Sequence, residues 1–392
     1  MSTSLHEPPA PTTAPGAATA LLEEYRPATD RFLGTPRHTL LGRGTAVAIS
    51  EPERVRDVLG ELRRPGTPAP VVVGSVPFAA GAPAALAVPE SVRWAPPLRE
   101  DPLIALPVPH DTGRPGWRVR EVPTAERYGA AVAAAVARMR AGEFAKVVLA
   151  RTLELTSDEE PDLPAMLRRL ARRDPDGYTF AMPTGPGRTL IGASPELLVA
   201  RRGGRLVANP LAGSAPRSAD LAEDVRRAAA LLESPKDLHE HAVVVAAVRE
   251  ALAPYCARLT VPERPTLVRT AAMWHLSTTV TGEPADPATT ALDLASALHP
   301  TPAVCGTPTE AARAVIAASE PFDRGPFTGI VGWQDADGDG EWIVTIRCAE
   351  AEGRSLRLFA GAGVVAGSSP EAETAETAAK FRTFLHAVGA EL

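Results

Sequence analysis

The sequence predicts a mixed α+β protein built on large antiparallel sheets. Three observations carry that reading. Apolar–polar alternation marks many short strands, separated by turns such as Arg202-Gly203-Gly204. Those strands cluster as hairpins instead of alternating strictly with helices. A smaller set of segments repeats its apolar residues at helical spacing.

Along the chain, residues 1–18 are rich in Pro, Ala and Thr and read as a disordered tail. Residues 38–50 read as strand–turn–strand. A helix follows, with Val55, Val58, Leu59 and Leu62 on one face, and then a buried strand at 70–74. The proline-rich stretch 96–116 reads as a connector, with a boundary near 115–122. The spacing predicts a helix over 124–141, with Thr124 as N-cap and Gly142 at its end. In the next strand, FAKVVLARTLEL, alternation puts Ala145, Val147 and Leu149 on one face and Lys146 and Val148 on the other. Strands at 178–183 and 188–192, LLVARR and GRLVANP form a meander. A long helical pattern over 219–253 is interrupted at Ser234-Pro235, a helix start with Ser234 as cap. Helices at 286–298 and 308–318 precede two strands, FTGIVGWQ and GEWIVTIRCAE, around the turn DADGDG. The strand SLRLFAGAG and a helix over about 370–388 complete the chain.

Composition excludes several classes. The chain has 392 residues and a net charge of −6, which argues against a general nucleic-acid or anionic-membrane binder. No run of about 18 apolar residues is present, and the first basic residue is Arg26, so neither a transmembrane helix nor a secretory signal is expected. Cys256, Cys305 and Cys348 stand too far apart for a zinc knuckle or a disulfide framework. A cytoplasmic protein is the expectation.

Of 41 basic residues only three are lysine: Lys146, Lys236 and Lys380. Where arginine serves as the general surface cation, a retained lysine invites a role arginine cannot fill, since a desolvated lysine can lose its proton.

The remaining motifs each carry an ordinary reading beside a functional one. DADGDGEW resembles the start of a calcium loop, but position 12 is Ile346, so an acidic hairpin turn explains it better. GAGVVAG does not complete a dinucleotide fingerprint and reads as a glycine-rich strand exit open to an anionic ligand. His239 and His241 lie on different helix faces and cannot chelate one zinc, although Glu240 between them could bind a hard metal or simply face solvent. Glu373 and Glu376 share a helix face and suit Mg²⁺, while Glu376 and Lys380 could equally form an i, i+4 ion pair. Glu196, at the entry to an apolar strand, could have a raised pKa and serve as a general acid.

Together these segments resemble the chorismate-utilising enzymes, and within them isochorismate synthase of the type that feeds catechol siderophore pathways. The resemblance covers roughly 120–388 and is carried by FAKVVLAR, IGASPELLV, NPLAGSAPR, SPKDLHEHAVVV, WHLSTTVTG, ALHPTPAVCGTP, EPFDRGPFTGIVGW, GEWIVTIRCA and LFAGAGVVAGSSPEAETAETAAK. A fainter echo lies in GSVPF and VPESVRW. It implies an α/β sandwich: two layers of mainly antiparallel sheet with helices outside, forming one catalytic domain over 19–392 without a split at 115. It implies Lys146 as general base, Glu196 as general acid, and His275 near the reacting hydroxyl. Glu240, Glu373 and Glu376 match carboxylates of a Mg²⁺ site. Gly213, Ser214, Ala303, Arg347, Gly361, Gly363 and Lys380 match substrate-contact positions, with Ser214 in place of the more usual threonine. Aminating relatives lack a lysine at position 146, and the type with a nucleophilic lysine carries it where Ala212 stands here. A monomer acting on chorismate with no glutaminase subunit is therefore expected. Salicylate synthases, which also release pyruvate, keep the Lys/Glu pair and are the alternative, although HPTPAVCGTP favours isochorismate synthase.

Overall fold

The computed structural model describes residues 15–106 and 116–388. Two large sheets dominate, and all their strand pairings are antiparallel. The first has ten strands, with Lys146–Thr156 paired along its length to Ser355–Val365, and then Cys348–Glu352, Arg188–Ser194 and Tyr178–Gly185 towards the other edge. The second has nine, including Leu197–Arg202, Gly340–Val344, Ile330–Asp335 and Val71–Val76. A three-stranded sheet, Leu211–Pro216, Met273–Ser277 and Thr266–Arg269, packs beneath helices Leu221–Glu233 and Pro235–Leu252. Both large sheets draw strands from before residue 107 and after residue 115.

Period-2 alternation decides the layering. In Val71–Val76, Val71 and Val73 point between the sheets, whereas Val72 points to the outer helices. In Ser355–Val365, Phe359 points between the sheets while Leu358 and Ala360 pack outward. The inter-sheet core therefore combines Leu33, Phe180 and Leu190 of one sheet with Val331, Trp333 and Ile343 of the other. Helices Ala17–Glu23, Leu163–Arg173 and Pro370–Val388 cover the first sheet, and Val55–Leu62, Pro235–Leu252 and Ala291–Leu298 cover the second.

Caps appear where the sequence placed them. Thr124 Oγ1 accepts from Arg127 N–H, and Gly142 takes φ +82° just beyond the helix Ala125–Arg140. Ser234 separates two helices and accepts from Asp237 N–H.

Five expectations are corrected. Ala17 and Ala18 belong to the first helix, not to the tail, and Ala18 is buried; residues 1–14 lie outside the described residues. The strands read as one meander are divided, because Tyr178–Gly185 and Arg188–Ser194 join the first sheet and Leu197–Arg202 and Arg205–Ala208 the second. The helix expected over 286–298 starts only at Ala291, where Thr290 and Asp293 form a capping box. GEWIVTIRCAE is two strands, broken at Thr345–Arg347, and the chain changes sheet there. Gly361 and Gly363 lie inside a strand, opposite Ala150 and Val148, and not at its exit.

Candidate active site

The chain passes between the two large sheets at two adjacent points, and each places one charged side chain. At the first, Arg188–Ser194 ends in the first sheet and Leu197–Arg202 begins in the second, leaving Pro195-Glu196 between them. Ser194 Oγ donates to Val344 O at 2.7 Å and accepts from Glu196 N–H at 3.2 Å, which fixes the crossing. At the second, Arg347 holds φ +51°, a left-handed conformation that non-glycine residues seldom adopt. Its carbonyl accepts from Ala193 N–H at 3.1 Å, tying the two crossings together.

Glu196 is 3% exposed. Its Oε1 accepts from Leu211 N–H at 3.3 Å. No ion pair joins it to the described residues. Burial pushes its carboxyl up to about 7, against the pull of that N–H and of Lys146, Arg347 and Lys380. Arg347 is buried and makes no side-chain hydrogen bond or ion pair with the described residues, so its guanidinium fork is free for a ligand. Burial lowers it to about 10, although Glu376 and Glu196 favour its charge. Arg347, Ala303, Gly361 and Lys380 line one cavity with Val148 and Phe327.

On the three-stranded sheet, Ser214 sits opposite His275, with Ser214 Oγ 2.7 Å from His275 Nδ1. His275 Nε2 is buried without a partner. Burial, then Arg347 and Lys380, hold this imidazole well below its usual range, so it is neutral at pH 7. Gly213 takes φ +78° where the strand register slips, and a Cβ there would lie 3.0 Å from Asp237 Cβ. Any side chain would press on the first turn of helix Pro235–Leu252. That helix is further held by His241, whose ring nitrogens bond to Ala212 O and Thr278 Oγ1. His239, by contrast, is exposed, as the helix geometry requires.

Lys146 faces the inter-sheet side with Val148, as alternation predicts, and is 1% exposed. Its Nζ lies 2.9 Å from Glu240 Oε1. Gly363 makes room for this pair: a Cβ there would lie 2.3 Å from Glu240 Oε1 and 3.2 Å from Lys146 Cε. Glu373 pairs with Lys236 at 3.1 Å, and Glu376 with Lys380 at 2.6 Å. Each of the three carboxylates expected to hold metal thus contacts a different one of the three lysines. The described residues contain no cluster of three or more His, Cys, Asp or Glu drawn together around one point. The donor set nevertheless suits a hard divalent cation, since every donor is a carboxylate oxygen. Glu373 Oε2 is buried and unpartnered, an idle oxygen that a cation would satisfy.

Asp237 and Lys236 were not among the expected site residues. Asp237 belongs with the carboxylates: burial raises its pKa, Ser234 and Lys236 oppose that, and the nearby charges of Glu240 and Glu376 add to it. Its signal is the i, i+3 spacing of Asp237 and Glu240, which repeats that of Glu373 and Glu376. The acidic turn DADGDG is a hairpin whose carboxylates meet arginines: Asp339 pairs with Arg201 at 2.5 Å and Asp337 with Arg63 at 2.6 Å. No helix of the described residues is long and apolar enough to cross a membrane.

Comparison with known proteins places the chain in a family. The family described as chorismate binding enzyme matches residues 108–389. Isochorismate synthase DhbC of Bacillus subtilis is 52% identical over 391 residues, covering 95% of this chain and 96% of its own. Isochorismate synthase EntC of Escherichia coli is 41% identical over 340 residues, 86% of each chain. The crystal structure of DhbC from Bacillus anthracis superposes with a TM-score of 0.88 at 48% identity, over 95% of this chain and 100% of the other. By family match, by identity across most of its length and by fold, this chain belongs to the chorismate-binding enzymes and, among them, to the isochorismate synthases.

Proposed function

We propose that this chain is an isomerase that converts chorismate to isochorismate with Mg²⁺, adding water at C2 as the C4 hydroxyl leaves. The observation that carries the reading is the environment of Glu196. A buried carboxyl with no counter-ion keeps its proton in about half of the molecules at pH 7 and can donate that proton to the departing hydroxyl. Lys146, whose charge is felt at Glu196, takes the proton from water. In the resting structure Lys146 is held by Glu240, so it acts as a base only once its own proton has gone. Neutral His275 offers its free Nε2 towards a hydroxyl rather than adding another charge. Arg347 grips the pyruvyl carboxylate with its free fork, and Lys380 adds a second positive charge at the cavity wall. Ala303 and Gly361, in the cavity wall, leave room for the ring, and Gly363 leaves room for the Lys146–Glu240 pair behind it. Glu240, Glu373 and Glu376 would hold a Mg²⁺, which would supply positive charge for the ring carboxylate. The reaction uses water, so no glutaminase subunit is needed, and a monomer suffices.

The test is incubation with chorismate and Mg²⁺, chromatography of the product, and a parallel pyruvate assay with lactate dehydrogenase. The expected product has the mass of chorismate, with no pyruvate formed. Stoichiometric pyruvate with an aromatic product would replace this reading by salicylate synthesis. No conversion by folded protein would refute both.

A further inference from the structure

We propose that Lys236 is a positioning residue that stands in for the divalent cation: its ammonium holds Glu373 until metal arrives, then withdraws to solvent, and so sets the metal affinity. This rests on the metal site proposed above.

The three lysine–carboxylate pairs differ in how firmly the lysine is built in. Lys146 projects from the end of a strand, paired on both sides with Val365 and Thr307, and its side chain is 1% exposed. Lys380 is 14% exposed and is anchored a second time, donating to Gly361 O at 2.8 Å. Lys236 is 39% exposed, stands on the first turn of its helix, and has Glu373 as its one hydrogen-bond partner among the described residues. It alone can leave its carboxylate without leaving a buried ammonium stranded.

Its partner is poorly served. Glu373 is 1% exposed; Lys236 meets Oε1 and the Ser368 side chain also favours its charge, yet the buried Oε2 has no partner at hydrogen-bond distance. A buried carboxylate with an idle oxygen is costly, so the lysine is an incomplete substitute for an ion that could engage both oxygens. Lys236 and Glu240 also lie at i, i+4 on one helix face, which places the ammonium beside two of the three carboxylates. Lysine suits this task better than arginine. Its compact, mobile charge can imitate a small cation, whereas a guanidinium fork would lock a carboxylate in place.

The experiment is a Mn²⁺ titration of the full chain without chorismate, read by electron paramagnetic resonance, for wild type, Lys236→Met, Lys236→Gln, Lys236→Arg and Glu373→Gln. Losing one half-exposed ammonium should tighten Mn²⁺ binding about tenfold in the Met and Gln variants. Lys236→Arg should not tighten it. The Met and Gln variants should also melt lower without metal and gain more melting temperature than wild type when Mn²⁺ is added. Equal or weaker Mn²⁺ binding by both variants would overturn the proposal while leaving the metal site intact. If Glu373→Gln left wild-type Mn²⁺ binding unaltered, or if no variant bound Mn²⁺, the metal site itself would be wrong and the proposal would fall with it.

Discussion

Two carboxylates stand within one site, and they are treated oppositely. Glu196, at the crossing between the sheets, has one weak N–H contact and no cation in contact with it, and burial carries its pKa to about 7. Glu376, on the last helix, is 26% exposed and is also partly desolvated, yet Lys380 at 2.6 Å, together with Lys236 and Arg347, outweighs this and holds the carboxyl below its ordinary range. The same side chain is thus kept as an acid in one place and as an anion in the other. What differs is the distance to a lysine and the access of solvent, 3% at Glu196 against 26% at Glu376. A proton donor needs the first arrangement, and a cation site needs the second.

The largest effects should come from removing the proton carriers. Lys146→Ala and Glu196→Gln should each lower kcat about 10²–10⁴-fold in the chorismate assay. The same Glu196→Gln change should stabilise the fold. Between about pH 4.5 and 7 the unfolded Glu196 has lost its proton while the folded one keeps it, so wild-type stability falls as pH rises through that window. Urea titrations should therefore show the variant gaining up to about 3 kcal/mol on wild type between pH 4.5 and pH 8. Unchanged relative stability across that range would remove the contrast with Glu376.

Gly363→Ala attacks the paired side of the comparison. The new Cβ displaces the flexible Glu240 carboxylate from Lys146 and leaves the backbone in place. Turnover should fall about 10²-fold with a stability change below about 1 kcal/mol, read by turnover and urea melts on one preparation. Arg347→Lys keeps the charge and loses the fork, so KM for chorismate should rise about tenfold while kcat changes less. As a baseline, Arg258→Gln breaks an exposed pair with Glu283 and should leave the urea midpoint at its wild-type value.

Much of the fold was legible where one periodicity ran unbroken. The helix capped by Thr124, the break at Ser234-Pro235 and the facing of Lys146 all follow from local pattern. The sheet crossings did not show. Trp342, Ile343 and Val344 before Arg347, and Cys348 and Ala349 after it, are all buried, so an apolar run reads the same whether it stays in one sheet or changes to another. The strands at Cys256–Thr260 and Thr266–Arg269 are mostly exposed and gave no clean alternation. In the site, residue types pointed to the carboxylates and the lysines, and the environment inferred for Glu196 matches its burial. The pairing of Lys146 with Glu240 and of Lys236 with Glu373 was invisible, because separate elements bring those partners together. Gly363 was read as a strand exit, whereas its place is set by a neighbouring carboxylate that only the tertiary structure supplies.

The most direct test is the ionisation of Glu196 itself. Carbon-13 NMR of glutamate-labelled protein, with the Glu196 resonance assigned by its loss in Glu196→Gln, would follow that carboxyl through pH. A midpoint near 7 is expected, together with a fall in kcat/KM above the same pH. A midpoint near 4.5 would mean that the carboxyl is already ionised at neutral pH, and Glu196 could not be the acid.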